Sequence, residues 1–187
     1  MTKTKDFYPR ESWLREIMGR DDIRVKGTAL AVLSRADGSV ERYHGLNVVT
    51  DDGDIYYAQM AAGEAPDNEF TTSPAGLRLG DDNTAVDKTD TDVTSFLAGT
   101  GHTVDATYPK TDDDDPNNAA DADENVLSWR YSYGTTEGNA VDIIEGAIVD
   151  DIVTPTVALN HFLFDGVFTK TAADTLAVTI NHQFLGV

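Results

Sequence analysis

The sequence predicts a mainly β protein: an antiparallel β-sandwich, jelly-roll-like, with two short helices and an N-terminal arm. Three observations carry that expectation. A β-prone run over residues 24–33, holding Val25, Ala29, Leu30, Val32 and Leu33, meets the turn pair Asp37 and Gly38 and resumes at residues 40–44, the pattern of a hairpin. Four further segments of strand character, 126–133, 141–149, 157–168 and 175–185, follow with turns between them. The last of these alternates, with Leu176, Val178, Ile180 and Phe184 on one face and Ala177, Thr179, Asn181 and Gln183 on the other. Several such strands after an opening hairpin imply two packed antiparallel sheets.

Taken in chain order, residues 9–19 spell a short helix in which Trp13, Leu14, Ile17 and Met18 share a face and Gly19 suits the stop. About ten residues cannot hold a helix alone in water, so that face requires a surface to bury against. With Arg10, Arg15, Arg20 and Arg24 around it, the face is the expected docking element of an arm over residues 1–22. Residues 23–187 are read as a single domain. After the hairpin, Thr50 or Asp51 can cap a helix through Ile55, Tyr56, Ala58, Gln59 and Met60 that Gly63 would end. Residues 64–73 are loop-like, and Leu77, Arg78 and Leu79 form a short strand. From about 81 to 124 the chain is dominated by Asp, Thr, Asn, Gly and Ala, with Val93, Phe96 and Leu97 as its one apolar anchor. Such a segment holds too few large apolar residues for a second core, and loops of that length usually have a function of their own.

Charge separates the two ends. The first fifty residues hold nine bases against seven acids, a net of +2, and the remainder holds five bases against 26 acids, a net of −21. The acids are mostly Asp, 25 against 8 Glu, and Lys is scarce. Self-repulsion at this density destabilises a compact state, and salt removes the penalty, since the Debye length shrinks to about 3 Å at 1 M. The composition is therefore that of a protein exposed to brine. Nucleic acid is excluded as a partner of the body, which lacks clustered Lys and Arg. No run is long and apolar enough to span a bilayer or to form a secretory signal core. With no Cys there are no disulfides and no thiolate metal sites.

No nucleophile elbow, phosphate-binding glycine loop or zinc-protease helix occurs, and catalytic residues are accordingly expected to be absent. Four histidines, His44, His102, His161 and His182, are scattered, although His161 and His182 could meet if their strands were adjacent. Oxygen ligands at short spacing suit hard cations. Asp81, Asn83, Asp87, Asp90 and Asp92 are the candidates, in a run that only superficially resembles a calcium-binding helix–loop–helix: Val86 stands where that loop needs Gly, and Asp92 where it carries Glu. Loosely held sodium, potassium, magnesium or calcium is the expectation, with no tightly bound cofactor. Trp129, Tyr131 and Tyr133 alternate on one segment and would make an aromatic platform if they faced solvent.

Four landmarks carry a family resemblance. Asn47 to Gly53, continuing to Tyr57 and Ala58, resembles an entry into a short helix; Leu77, Arg78, Leu79 and Gly80, with the later Asp90, Thr91 and Asp92, resemble a short strand before a variable polar loop. Ile143, Ile144, Glu145, Gly146 and Ala147 resemble an inward strand with a central Glu, and residues 168–179 resemble a final turn and strand. In this order and spacing, over roughly residues 45–187, they are similar to minor structural proteins of tailed viruses of bacteria and archaea. The loop at 81–124 is longer and more acidic than that family's, and Ala147 stands near a position where the family often has Gly followed by a bulky residue. The resemblance implies a non-enzymatic virion protein, with other virion proteins and its own copies as partners. A capsid decoration subunit assembling as a symmetric oligomer is the expected role, a tail-fibre, collar or baseplate subunit the alternative. A secreted carbohydrate-binding module of a halophile is the rival from another class. Deleting residues 1–22 should leave a folded body that no longer attaches to its particle; loss of the cooperative melt by circular dichroism would instead make the segment part of the core.

Overall fold

The computed structural model describes residues 24–111 and 125–185. Its elements are β1 (Arg24–Ser34), β2 (Val40–Val49), the helix α1 (Asp51–Ala62), β3 (Gly76–Gly80), β4 (Lys110–Thr111), β5 (Val126–Tyr133), β6 (Ala140–Val149), β7 (Ala158–Lys170) and β8 (Thr175–Leu185). The expected arm at 1–22 lies outside the described residues, as do Asp112 to Asp115, Asp121, Asp123 and Glu124. All eight strands join one antiparallel sheet, in the order β3-β6-β7-β2-β1-β8-β5-β4, curled into a half-barrel.

One curled sheet therefore stands where the sequence implied the two sheets of a jelly-roll-like sandwich. The reason is β1. It pairs with β2 through the hairpin and with β8 along its whole length, from Arg24 opposite Leu185 to Ser34 opposite Thr175. The opening hairpin thus becomes the centre of the ladder and links what would have been separate sheets. Alternation then fills the concave face: Ala29, Ala31 and Leu33 of β1, Leu176, Val178 and Ile180 of β8, and Trp129, Tyr131 and Tyr133 of β5 are all buried in one cluster with Phe162, Phe164 and Phe168 of β7. Ile143 of β6 belongs to the same cluster, yet Glu145 does not, because a register irregularity between them turns the strand over.

A half-barrel leaves two free strand edges. The segment 81–108 runs from one to the other. His102 exchanges backbone hydrogen bonds with Leu77 of β3, the Leu97 N–H donates to the Leu79 carbonyl, and Asp105 bonds Arg130 and Ser132 of β5. The chain expected to be an acidic excursion is thus, over this stretch, a strap across the opening, and its hydrogen bonds cover β3 and the Arg130–Ser132 part of β5 against pairing with other chains. Val93 anchors it as expected, in a small second apolar cluster with Ala147, Val149 and Ala158. β4, two residues long, lies beside β5 and has no signature that period could reveal.

At one mouth of the curl sits α1. Thr50 is its N-cap, accepting from the Gly53 N–H at 3.0 Å while its hydroxyl donates to the Ala158 carbonyl, and Gly63 ends it in a left-handed conformation at φ 72°. Tyr56 and Tyr57 enter the core from this helix. At the other end, Arg35 ties the β1–β2 turn to the β7–β8 turn, pairing with Glu41 at 2.8 Å and Asp174 at 3.1 Å and donating to the Thr169 carbonyl. Several other turns are closed by Asp side chains that accept from the backbone two residues on: Asp37 from Ser39, Asp82 from Thr84, Asp87 from Thr89 and Asp151 from Val153.

Gly53 illustrates how close α1 lies to β7. A β-carbon there would strike the Leu159 carbonyl oxygen and approach Val49 to 2.8 Å. Alanine in a helix interior ordinarily stabilises by about 0.5–1 kcal/mol over glycine. Here Gly53→Ala should destabilise by about 1–3 kcal/mol in urea unfolding, because backbone cannot yield as a side chain can. A gain in stability would show that the helix stands off the sheet.

Candidate functional site: a buried charged cluster beneath the strap

The convex face of β3, β6 and β7 carries a row of charged side chains that the strap covers. Pairing places Arg78 opposite Ala147, Ala147 opposite His161, and Gly80 opposite Glu145, so these residues share a face. Glu145 is fully buried and His161 is 1 % exposed. Gly80 makes room for the carboxylate: a β-carbon at that position would collide with Glu145 and with the Ser95 carbonyl, which lies 2.6 Å away.

The carboxylate of Glu145 and both ring nitrogens of His161 are engaged, whereas Arg78 Nε and Asp92 Oδ1 are buried without a hydrogen-bond partner. Glu145 accepts from the Ser95 N–H at 2.8 Å and the Thr94 N–H at 3.0 Å, both on the strap, and from His161 Nε2 at 2.8 Å. His161 Nδ1 donates to Asp90 at 2.7 Å, so both ring nitrogens face carboxylate oxygens and the ring binds as the imidazolium. Burial opposes that charge, but the hydrogen bonds to Glu145 and Asp90 outweigh it and raise the His161 pKa above its ordinary value. Beside them Arg78 pairs with Asp92 at 3.2 Å and lies 3.6 Å over the Phe96 ring. Burial holds Asp92 above the usual carboxylate range, although Arg78 draws it down.

The five cation candidates therefore do not converge. Asp90 turns to His161, Asp92 to Arg78 and Asp87 to the Thr89 backbone and hydroxyl, while Asp81 and Asn83 are exposed. Among the described residues no group of three or more His, Asp or Glu side chains is arranged to hold a metal ion. Of the docking candidates, Arg24 opens β1, and Arg10, Trp13, Leu14, Arg15, Ile17, Met18 and Arg20 lie outside the described residues. Trp129, Tyr131 and Tyr133 share a face, as their alternation requires, but it is the buried concave one, so they offer no platform to a sugar.

Nor do His161 and His182 meet, since β2 and β1 stand between their strands. His182 lies in the concave core, where its Nε2 meets Asn47 Nδ2 at 2.7 Å and its Nδ1 meets the Tyr57 hydroxyl. Asn47 donates, so the ring is neutral, and burial pushes its pKa down to about 3. Gly27, between Asn47 and His182 in the ladder, leaves the space the Asn47 side chain needs, because a β-carbon would sit 2.5 Å from it. Sequence reasoning missed the charged cluster because its members are far apart in the chain; the one local signal was a Glu inside an otherwise apolar strand.

In chemical terms the cluster is a clamp. With both His161 nitrogens bonded to carboxylates, the ring has no free lone pair to act as a base, and what it holds together is the strap and the sheet. The two buried histidines should give stability opposite pH slopes. His161 binds its proton more tightly folded than unfolded, so its contribution is complete below about pH 6.5 and is lost as pH rises through the raised pKa. His182 does the reverse: stability falls as pH drops from about 6.5 toward its folded value of about 3. Melting temperatures followed from about pH 5 to pH 9 should show His161→Gln flattening only the alkaline limb and His182→Gln only the acid limb.

No known protein family, curated protein or solved structure matches the chain.

Proposed function

We propose that the chain is a non-enzymatic structural protein of the virion of a halophilic tailed virus, a capsid decoration subunit that assembles with copies of itself into a symmetric oligomer. The observation that carries the assembly part is the open convex face of β1 and β2. Leu46 is 77 % exposed in the interior of the ladder, paired with Thr28 on one side and Leu163 on the other. With Ala85 and Val86 these residues line a groove of about 600 Å³. An apolar strip at the centre of a sheet, where its flanking strands are already paired, serves association through side chains and not through strand addition.

The charge balance supports the same reading. With a net charge of −19 on the whole chain, copies repel one another in dilute buffer and associate only where salt screens them. The sequence landmarks that resemble minor structural proteins of tailed viruses fall on the β2–α1 junction, β3 and the loop after it, β6, and the β7–β8 turn with β8. The clamp adds a reason for a non-catalytic role, because the polar side chains that could do chemistry beneath the strap are engaged by one another.

Two measurements test the reading. Light scattering in molar salt should report a closed oligomer for the natural chain and a monomer for Leu46→Lys, whose circular dichroism spectrum should be unchanged because the side chain is exposed in the single chain, while its melting temperature falls only by what assembly contributed. A monomeric natural chain would remove the self-assembly part. Lowering salt from about 1 M to about 0.1 M should lower the melting temperature, and a salt-independent melt would sink the halophilic part.

A further inference from the structure

Among the described residues, Lys170 is a buried amine with no ion-pair partner. It is 1 % exposed, near the end of β7, and its Nζ donates to two neutral oxygens, the Gly134 carbonyl at 2.8 Å and Asn139 Oδ1 at 3.1 Å. Asp174, the acid nearest in its own turn, is engaged by Arg35 and by the Thr171 backbone and hydroxyl. A buried ammonium in such surroundings is costly, and the cost disappears if the amine is neutral. Asn139 is exposed and immediately precedes Ala140, which pairs with Lys170 across the β6–β7 ladder. The two side chains therefore start from neighbouring backbones and meet end to end.

We propose that Lys170 and Asn139 join in an intramolecular isopeptide bond. The neutral Nζ attacks Cγ of Asn139, the Cγ–Nδ2 bond breaks, and one proton passes from Nζ to the departing nitrogen, which leaves as ammonia to solvent. The step is an amide exchange: one C–N bond forms and one breaks, nothing is oxidised or reduced, and no co-reactant is needed. Burial favours the reactive form of the amine, lowering its pKa, while Asp174 and Glu137 oppose that effect. Glu137 stands in the same turn, its Oε2 accepting at 2.8 Å from the N–H of Gly134, whose carbonyl takes the Lys170 ammonium, and the proposal assigns it the relay of the proton. The product replaces a buried charge with a neutral cross-link between the β5–β6 turn and β7.

Intact-mass spectrometry of the full chain tests this. The natural protein should weigh about 17 Da less than its sequence, and digestion should yield one branched peptide joining residues 139 and 170. Asn139→Ala changes an exposed side chain, keeps the fold, and should restore the full mass, as should Lys170→Arg. Asn139→Asp should lose water in place of ammonia, about 18 Da. Glu137→Gln should slow the appearance of the lighter species by at least tenfold while leaving the circular dichroism spectrum unchanged. A natural chain that keeps its full mass after prolonged incubation overturns the proposal. So does a loss of ammonia that persists in Lys170→Arg, since that marks a backbone succinimide.

Discussion

The carboxyl of Glu145 is shut away from solvent, and most of the molecule's closure follows from how its oxygens are satisfied. A buried ion is tolerated only when its lone pairs are filled. The donors that fill them come from the strap at Thr94 and Ser95 and from His161, which in turn requires Asp90. Satisfying those oxygens and fastening the strap are therefore one act. The strap then reaches the other side of the curl, where Asp105 meets β5, and the concave aromatic core acquires its fourth wall. Were Glu145 an apolar residue, the sheet would pack as well, but nothing would specify which part of a polar segment must lie over it.

Two histidines, both fully withdrawn from solvent, show how the surroundings decide protonation. His161 lies among Asp90, Glu145 and Asp92, with Arg78 nearby, and keeps a proton; His182 lies among Asn47, Tyr57 and apolar neighbours, and gives it up. The convex cluster is an ionic joint and the concave one a neutral network. That division follows the sheet's two faces, and the register irregularity in β6 is what sends Glu145 to one and Ile143 to the other.

What was legible in the sequence was local. The β1–β2 hairpin, the Thr50 and Gly63 caps of α1, and the alternating strands β5 and β8 all carry their signal within about ten residues, and all form where expected. The sheet count was not legible, because pairing β1 with β8 joins residues that share no pattern before they meet. The strap was illegible for a related reason: its Asp residues look like solvated acid until His161 and Arg78 are brought to them from other strands. Even the excess of Asp over Glu has a second origin. Part of it is turn chemistry, since the shorter side chain of Asp37, Asp82, Asp87 and Asp151 reaches its own backbone two residues on. Composition alone therefore overstates how much of the acid is free surface charge.

The full-length ladder between β1 and β8 has a consequence for how the protein is made. Its eleven pairs join the first and last described strands, so during synthesis β1 waits, with only β2 beside it, until nearly all of the intervening chain has left the ribosome. Nonlocal pairing of this kind slows folding and prolongs the exposure of an unpaired strand. The same pairing sets Arg24 beside Leu185, so the first and last described residues are neighbours in the sheet although the whole described fold lies between them in the chain.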